Sequence, residues 1–352
     1  MSAAEPAPDL GQRVHKALRE LSPGYFAMVM ATGISSIGLH DYGYTVLSQV
    51  LLVLSGAFFA GLLALNAWRF VSYHQEIVED FTHPLRGFGF YTFVAAANVI
   101  AARIGARHHT IALVLLVVAS VCWLVRGYAV PWTTHLGAGE HPIVAAANGT
   151  WFMWAVGGQS IAVAAAVIEP YFGGDVLSLV ALIAWGLGLF LYIVDGVFVA
   201  MRLLAYDFSA ADLTPPYWVA MGAAAITALA GAEVAHLPPG PFADIARTTI
   251  RAGSLLAWVI ASWLVPALFA MGWWRHVTHR IPLRYDANLW SIVFPLGMYA
   301  MACTAIARYD HLPYLGAVGH VWEWVAFAAW LLAAAAAIHH VVTVVLLPER
   351  AG

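Results

Sequence analysis

Ten times along this chain an apolar run about long enough to cross a bilayer ends at a short polar break, at about 24–40, 46–70, 86–105, 110–130, 142–168, 176–204, 215–235, 249–274, 288–307 and 321–347. A helix needs about 20 apolar residues to cross the ~30 Å hydrocarbon layer, and inside that layer only helices and closed barrels satisfy their own backbone. The runs predict an all-α integral membrane protein of ten transmembrane helices. Apolar residues fill 62% of the 352 positions and charged ones 10%. Soluble domains hold roughly 45–50% and about 25%, so no sizeable soluble domain fits beside the spans. A net charge of −3 without a basic run argues against a nucleic-acid partner. Cys122 and Cys303 both lie inside apolar runs and read as packed thiols.

The runs are of two kinds, and they alternate. Even-numbered ones are stacked with Leu, Val, Ile and Trp, as in VLSQVLLVLSGAFFAGLLAL, which suits a face turned to lipid. Odd-numbered ones are rich in Gly, Ala, Ser and Thr, and four open with a proline: Pro23, Pro84, Pro142 and the pair Pro215-Pro216. Proline is favoured in a first helical turn, where its missing N–H costs nothing. Each odd run carries aromatics in its first half and then small residues, and successive starts lie about 60 to 75 residues apart. This is a two-helix unit repeated five times. All odd spans would cross in one direction, so rotation about the membrane normal relates the units. Small-residue helices then stand inside, around a central pore, with residues 23–348 forming a single domain.

Residues 1–22 are a polar tail without the apolar core of a cleaved signal peptide, so the first span is expected to remain. Within it Leu10, Val14, Leu18 and Leu21 recur at helical spacing opposite Arg13, Lys16 and Arg19. Such a helix lies on the membrane surface or caps the bundle. With the tail cytoplasmic, eleven of the sixteen Lys and Arg fall on the inside, the bias expected of cytoplasmic loops. Both termini are expected in the cytoplasm and the protein in the plasma membrane.

The ninth run, WSIVFPLGMYAMACTAIARY from Trp290 to Tyr309, is almost free of charge yet carries Pro295 early. A proline there removes the hydrogen bond to the Ser291 carbonyl and loosens the helix at that turn. Phe294 stands at this kink, and Gly297, Ala300, Ala302 and Ala305 allow close approach or leave space. Phe294 is read as a plug, with ordinary packing as the plain alternative. Phe26, Phe90, Phe93 and Trp218 hold comparable places in their own spans, and Met30 and Gly222 follow one turn on; with Trp290 and Ser291 they are the candidate pore lining.

Phe26-x-x-x-Met30-x-Thr32-Gly33, His83-Pro84 followed by aromatics, and Trp290-Ser291-x-x-Phe294-Pro295 together resemble motifs of the tellurite-resistance/dicarboxylate transporters. That family includes plant slow anion channels, fungal malate permeases and fungal sulfite efflux pumps. The resemblance implies five helical hairpins around a central pore, assembled as a homotrimer, passing small anions or C4-dicarboxylates. In the family's channels a phenylalanine of the ninth helix occludes the pore, and Phe294 matches it. Proton-coupled malate carriage and sulfite- or tellurite-related export are the alternatives it implies. Asn148-Gly149-Thr150-Trp151 with Trp154 departs from the pattern, and the long regulatory tails of the plant members have no counterpart here, so their regulation is not carried over.

Anion passage needs positive potential and donors that replace water, without a charge strong enough to trap the ion. Thr32, Ser35, Ser36, Asn98, Gln159, Ser160, Thr227 and Ser291 offer donors, and Arg86, Arg103 and Arg308 stand near the mouths. The alternative is that the hydroxyls bond their own helices and the arginines reach to headgroups. Asp195 lies deepest in a span, where a charge is costly. It reads as a proton-coupling carboxylate or, being on an even span, as a structural or subunit contact; Glu233 and Glu323 read as interfacial. His108-His109, His276-x-x-His279 and His339-His340 lack a second cluster at ligand spacing. No metal or cofactor is expected, and a membrane haem or metal enzyme is the distant alternative.

Overall fold

The computed structural model of the protein describes residues 9–130 and 143–346; Pro142 lies outside them. Five hairpins follow one another: α2 (Phe26–Asp41) with α3 (Thr45–Ser72), α5 (Tyr91–Ile104) with α6 (His109–Val130), α7 (Met153–Ile168) with α8 (Val176–Ala205), α9 (Val219–Ala235) with α10 (Pro241–Trp273), and α11 (Trp290–Tyr309) with α12 (Pro313–His340). Among the described residues nine helices are long and apolar enough to cross a membrane. The tenth, α2, has 16 residues and is lengthened by the 3-10 turn Pro23–Tyr25 at its start. Two helices begin earlier than their apolar runs, because Pro241 and Pro313 start them and their first turns are less apolar.

The inner helices form a closed ring: α2 packs on α5, α5 on α7, α7 on α9, α9 on α11, and α11 back on α2. Each outer helix packs on the inner helix of its own hairpin. Burial follows: 67–83% of the apolar window is buried in the inner spans after α2, and 17–33% in the outer ones. Lipid supplies no hydrophobic force between helices, so the ring depends on close contact between small residues. A Cβ on Gly33 would lie 2.6 Å from Val99 Cγ1, one on Gly222 2.7 Å from Pro295 Cγ, and one on Gly297 2.8 Å from Ile34 Cγ2.

Every inner helix is entered through a 3-10 turn: Pro23–Tyr25, Arg86–Phe90, Gly149–Phe152, Pro215–Trp218 and Ala287–Leu289. Ser22, Asn148 and Asp286 each accept a hydrogen bond from the backbone N–H two residues on. These turns press together at one end of the bundle. A Cβ on Gly149 would meet the Pro216 carbonyl oxygen at 2.0 Å, and one on Gly89 the Gly24 nitrogen at 3.1 Å. The entry end is therefore tight.

α1 (Leu10–Arg19) caps the bundle on that same side. Arg19 pairs with Glu76 at 2.7 Å, the Arg69 guanidinium donates to the Arg19 carbonyl, and Leu18 is buried. Sequence reasoning missed α4 (His74–Thr82). It carries Asp80, buried between Arg69 at 2.8 Å and Arg86 at 3.0 Å. The π-helical turns Trp274–Thr278 and Val341–Leu346 end α10 and α12.

Candidate anion pathway

The C-terminal halves of the five inner helices enclose a vestibule of about 450 Å³. Each contributes a stripe at helical spacing: Ile34, Ile37 and Asp41 from α2; Asn98, Val99, Ala102 and Arg103 from α5; Ser160, Val163 and Val167 from α7; Ile226, Leu229 and Glu233 from α9; Met298, Met301 and Arg308 from α11. Continued one turn toward the N-termini, by four residues, the stripes reach Met30, Ala95, Val156, Gly222 and Phe294. All five are buried, and Phe294, 1% exposed, is the largest. Below the vestibule the five helices thus bring buried apolar residues to one level, with Phe294 the one aromatic among these five. Gly222 and Pro295 bring α9 and α11 together at this level. α11 continues as one helix through Pro295.

The other expected lining residues are distributed differently. Phe26, Phe90 and Phe93 line a second cavity of about 390 Å³ on the flank between the first two hairpins, where Phe26, Phe59 and Phe93 pack as one aromatic cluster. Trp218 turns toward α10 and meets Phe269 edge-on at 5.2 Å. Trp290 turns toward Trp330 of α12, and its Nε1 donates to Tyr285 Oη at 3.2 Å. Ser291 is half-buried and outside the vestibule lining. Aromatics in the entry half of an inner helix largely fill the joints to outer helices.

Polar groups concentrate in the vestibule. Arg308 pairs with Asp41 at 2.6 Å. Tyr309 Oη donates to Glu233 at 2.8 Å, and the Tyr309 ring stacks on His236 at 3.9 Å. Asn98 Nδ2 donates to Ser160 Oγ at 3.0 Å, and Ser160 Oγ to the Gly157 carbonyl at 2.7 Å. Arg103, Arg107 and Arg308 outnumber the carboxylates Asp41 and Glu233 in the lining, so the formal charge there is positive. Among the other expected donors, Thr32 and Thr227 bond carbonyls of their own helices, and Gln159 donates to the Trp185 carbonyl.

One carboxylate lies elsewhere than sequence reasoning put it. Glu323, read as interfacial, is 0% exposed. It is received by Gly38, where a Cβ would lie 2.0 Å from its Oε2, and among the described residues neither of its oxygens has a hydrogen-bond partner. Asp195, for which sequence reasoning left a proton-coupling and a structural role open, is 1% exposed and buried within the chain. It is absent from the vestibule lining. His276 and His279 hold backbone carbonyls, and among the described residues no three His, Cys, Asp or Glu are grouped to hold a metal. Glu233, read as interfacial, lines the vestibule; His40, Asp41 and Tyr309 escaped the sequence reading, although the stripes Met30–Ile34–Ile37–Asp41 and Phe294–Met298–Met301–Arg308 carried the signal.

Comparison with known proteins agrees with this architecture. A family described as SLAC1, voltage-dependent anion channel, matches residues 20–338. An uncharacterized membrane protein of Mycobacterium tuberculosis H37Rv is 46% identical over 152 residues, 43% of this chain and 77% of its own length. Two uncharacterized transporters of Methanocaldococcus jannaschii are 22% identical over 330 residues and 21% over 327. Each covers 90% of this chain, with 92% and 93% of their own lengths matched.

Proposed function

The chain belongs to the SLAC1 family of voltage-dependent anion channels, and from that premise we propose that it passes small anions or C4-dicarboxylates along the axis of the inner ring, with Phe294 as the plug. One observation carries this reading: the vestibule is lined by all five inner helices and has an excess of arginine, and it ends one helical turn above a fully buried apolar layer that contains Phe294. An apolar constriction blocks ions by excluding water. Rotation of a single ring would open it. The channel sits in the plasma membrane with both termini cytoplasmic and works as a homotrimer, each protomer with its own pore. Met30 and Gly222 complete the constriction.

A proton-coupled dicarboxylate carrier is the second reading. Glu233 favours it, because this carboxylate lines the vestibule whereas Asp195 does not. Flux in proteoliposomes separates the two. A channel carries chloride, nitrate or malate down an imposed voltage without a pH gradient, and Asp195→Asn leaves that flux unchanged. Uptake of malate that requires an inward proton gradient would reject the channel in favour of the carrier. Absence of both, from folded protein, would reject the pathway itself.

A further inference from the structure

Arg103 differs from the other vestibule cations in how it is held. Its Nε donates to Ser36 Oγ at 3.1 Å and its Nη2 to Ser48 Oγ at 2.9 Å. Both serines use their own protons elsewhere: Ser36 Oγ donates to the Ser48 carbonyl at 2.8 Å, and Ser48 Oγ to the Ser36 carbonyl at 2.6 Å. Each hydroxyl therefore turns only lone pairs toward the guanidinium. This cross-brace between α2 and α3 sets the plane of the arginine as well as its position. Arg308 is neutralised by Asp41, but among the described residues Arg103 makes no ion pair with a carboxylate.

A guanidinium carries five N–H donors in a rigid planar fork. The serines occupy the edge formed by Nε and the near proton of Nη2. The end-on edge remains, with one proton from Nη1 and one from Nη2 pointing the same way, on a side chain that lines the vestibule. Two parallel donors match two oxygens held in one plane, as in a carboxylate. A spherical halide meets the same charge without that match. We propose that the end-on edge of Arg103 is a binding site for planar oxyanions, carboxylates foremost, and sets the preference of the pathway for them over halides. The selectivity part rests on the pore reading above; the binding part does not.

The test is the formate-to-chloride permeability ratio, taken from reversal potentials in bilayers on a Phe294→Ala background. Arg103→Lys keeps the charge and removes the fork. It is expected to lower the ratio about tenfold, the worth of one charge-assisted hydrogen bond, because formate loses the fork while chloride still meets a point charge. Ser48→Ala keeps the arginine and frees its plane, so the ratio falls in the same direction by a smaller factor. A ratio unchanged in both variants overturns the proposal, and Ser48→Ala alone decides it if Arg103→Lys does not fold. If no anion is conducted, the pore reading fails and binding is judged separately. Sodium formate should raise the melting temperature of purified wild type above that in equal sodium chloride, and should not do so for Arg103→Lys. Equal shifts in the two proteins overturn the site.

Discussion

Phe294→Ala distinguishes a plug from a packed aromatic, and the structure sets the size of the effect. The ring is 1% exposed, and the vestibule above it carries the charged side chains of Asp41, Arg103, Arg107, Glu233 and Arg308. On the plug reading the ring must leave its buried place for an anion to pass, losing about 1.5–3 kcal/mol of apolar burial. At a factor of ten per 1.4 kcal/mol, the open state is then rarer than the closed one by roughly 10- to 150-fold. Truncation to alanine removes that term, so macroscopic anion current should rise by roughly this factor in voltage-clamped bilayers. Phe294→Leu, which retains much of the bulk, should rise less. Loss of a core phenylalanine also costs about 3–5 kcal/mol when nothing refills the space, so gel filtration must first show that both variants stay assembled. A folded Phe294→Ala protein whose current matches wild type would refute the plug and return this ring to ordinary packing.

Other consequences are as direct. Asp80→Ala leaves the Arg69 guanidinium, whose side chain is 3% exposed, buried without its carboxylate, and is expected to destabilise by about 3–5 kcal/mol, seen as a large fall in detergent melting temperature. Gly222→Val drives a Cβ to within 2.7 Å of Pro295; overpacking of this kind costs about 1–3 kcal/mol, and a melting temperature equal to wild type would contradict the close α9–α11 contact. The Asp212 carboxyl, in the loop after α8, is held below its ordinary value by the Ser209 backbone N–H and then the Ser209 hydroxyl. Its folded value lies below its unfolded one, so this local stabilisation is complete above the ordinary carboxylate range and is lost as pH falls through the depressed value. Exchange of the Ser209 amide proton, corrected for intrinsic rate, should accelerate over that acid window and not between neutral and mildly acidic pH.

Much of the architecture is written in local pattern. The alternation of small-residue and Leu-rich runs settles which helices face lipid, because a helix in a bilayer shows its solvent in its composition and the inner ring requires Gly33, Gly222 and Gly297 for approach. Met298 and Met301, which line the vestibule, stand at helical spacing from Phe294 already in the sequence. Other features depend on pairs far apart in sequence. The burial of Glu323 needs Gly38 from the opposite end of the chain, and Phe26 and Phe93 turn to the flank because Phe59 of an outer helix waits there. Composition cannot say which side of an apolar helix meets which neighbour; in a span apolar on every side, packing alone chooses the rotation. The same limit holds for Arg103. Its place near a mouth follows from sequence, whereas its fixed plane arises only when α2 and α3 bring Ser36 and Ser48 together, because hydrogen bonds depend on angles that only the assembled ring defines.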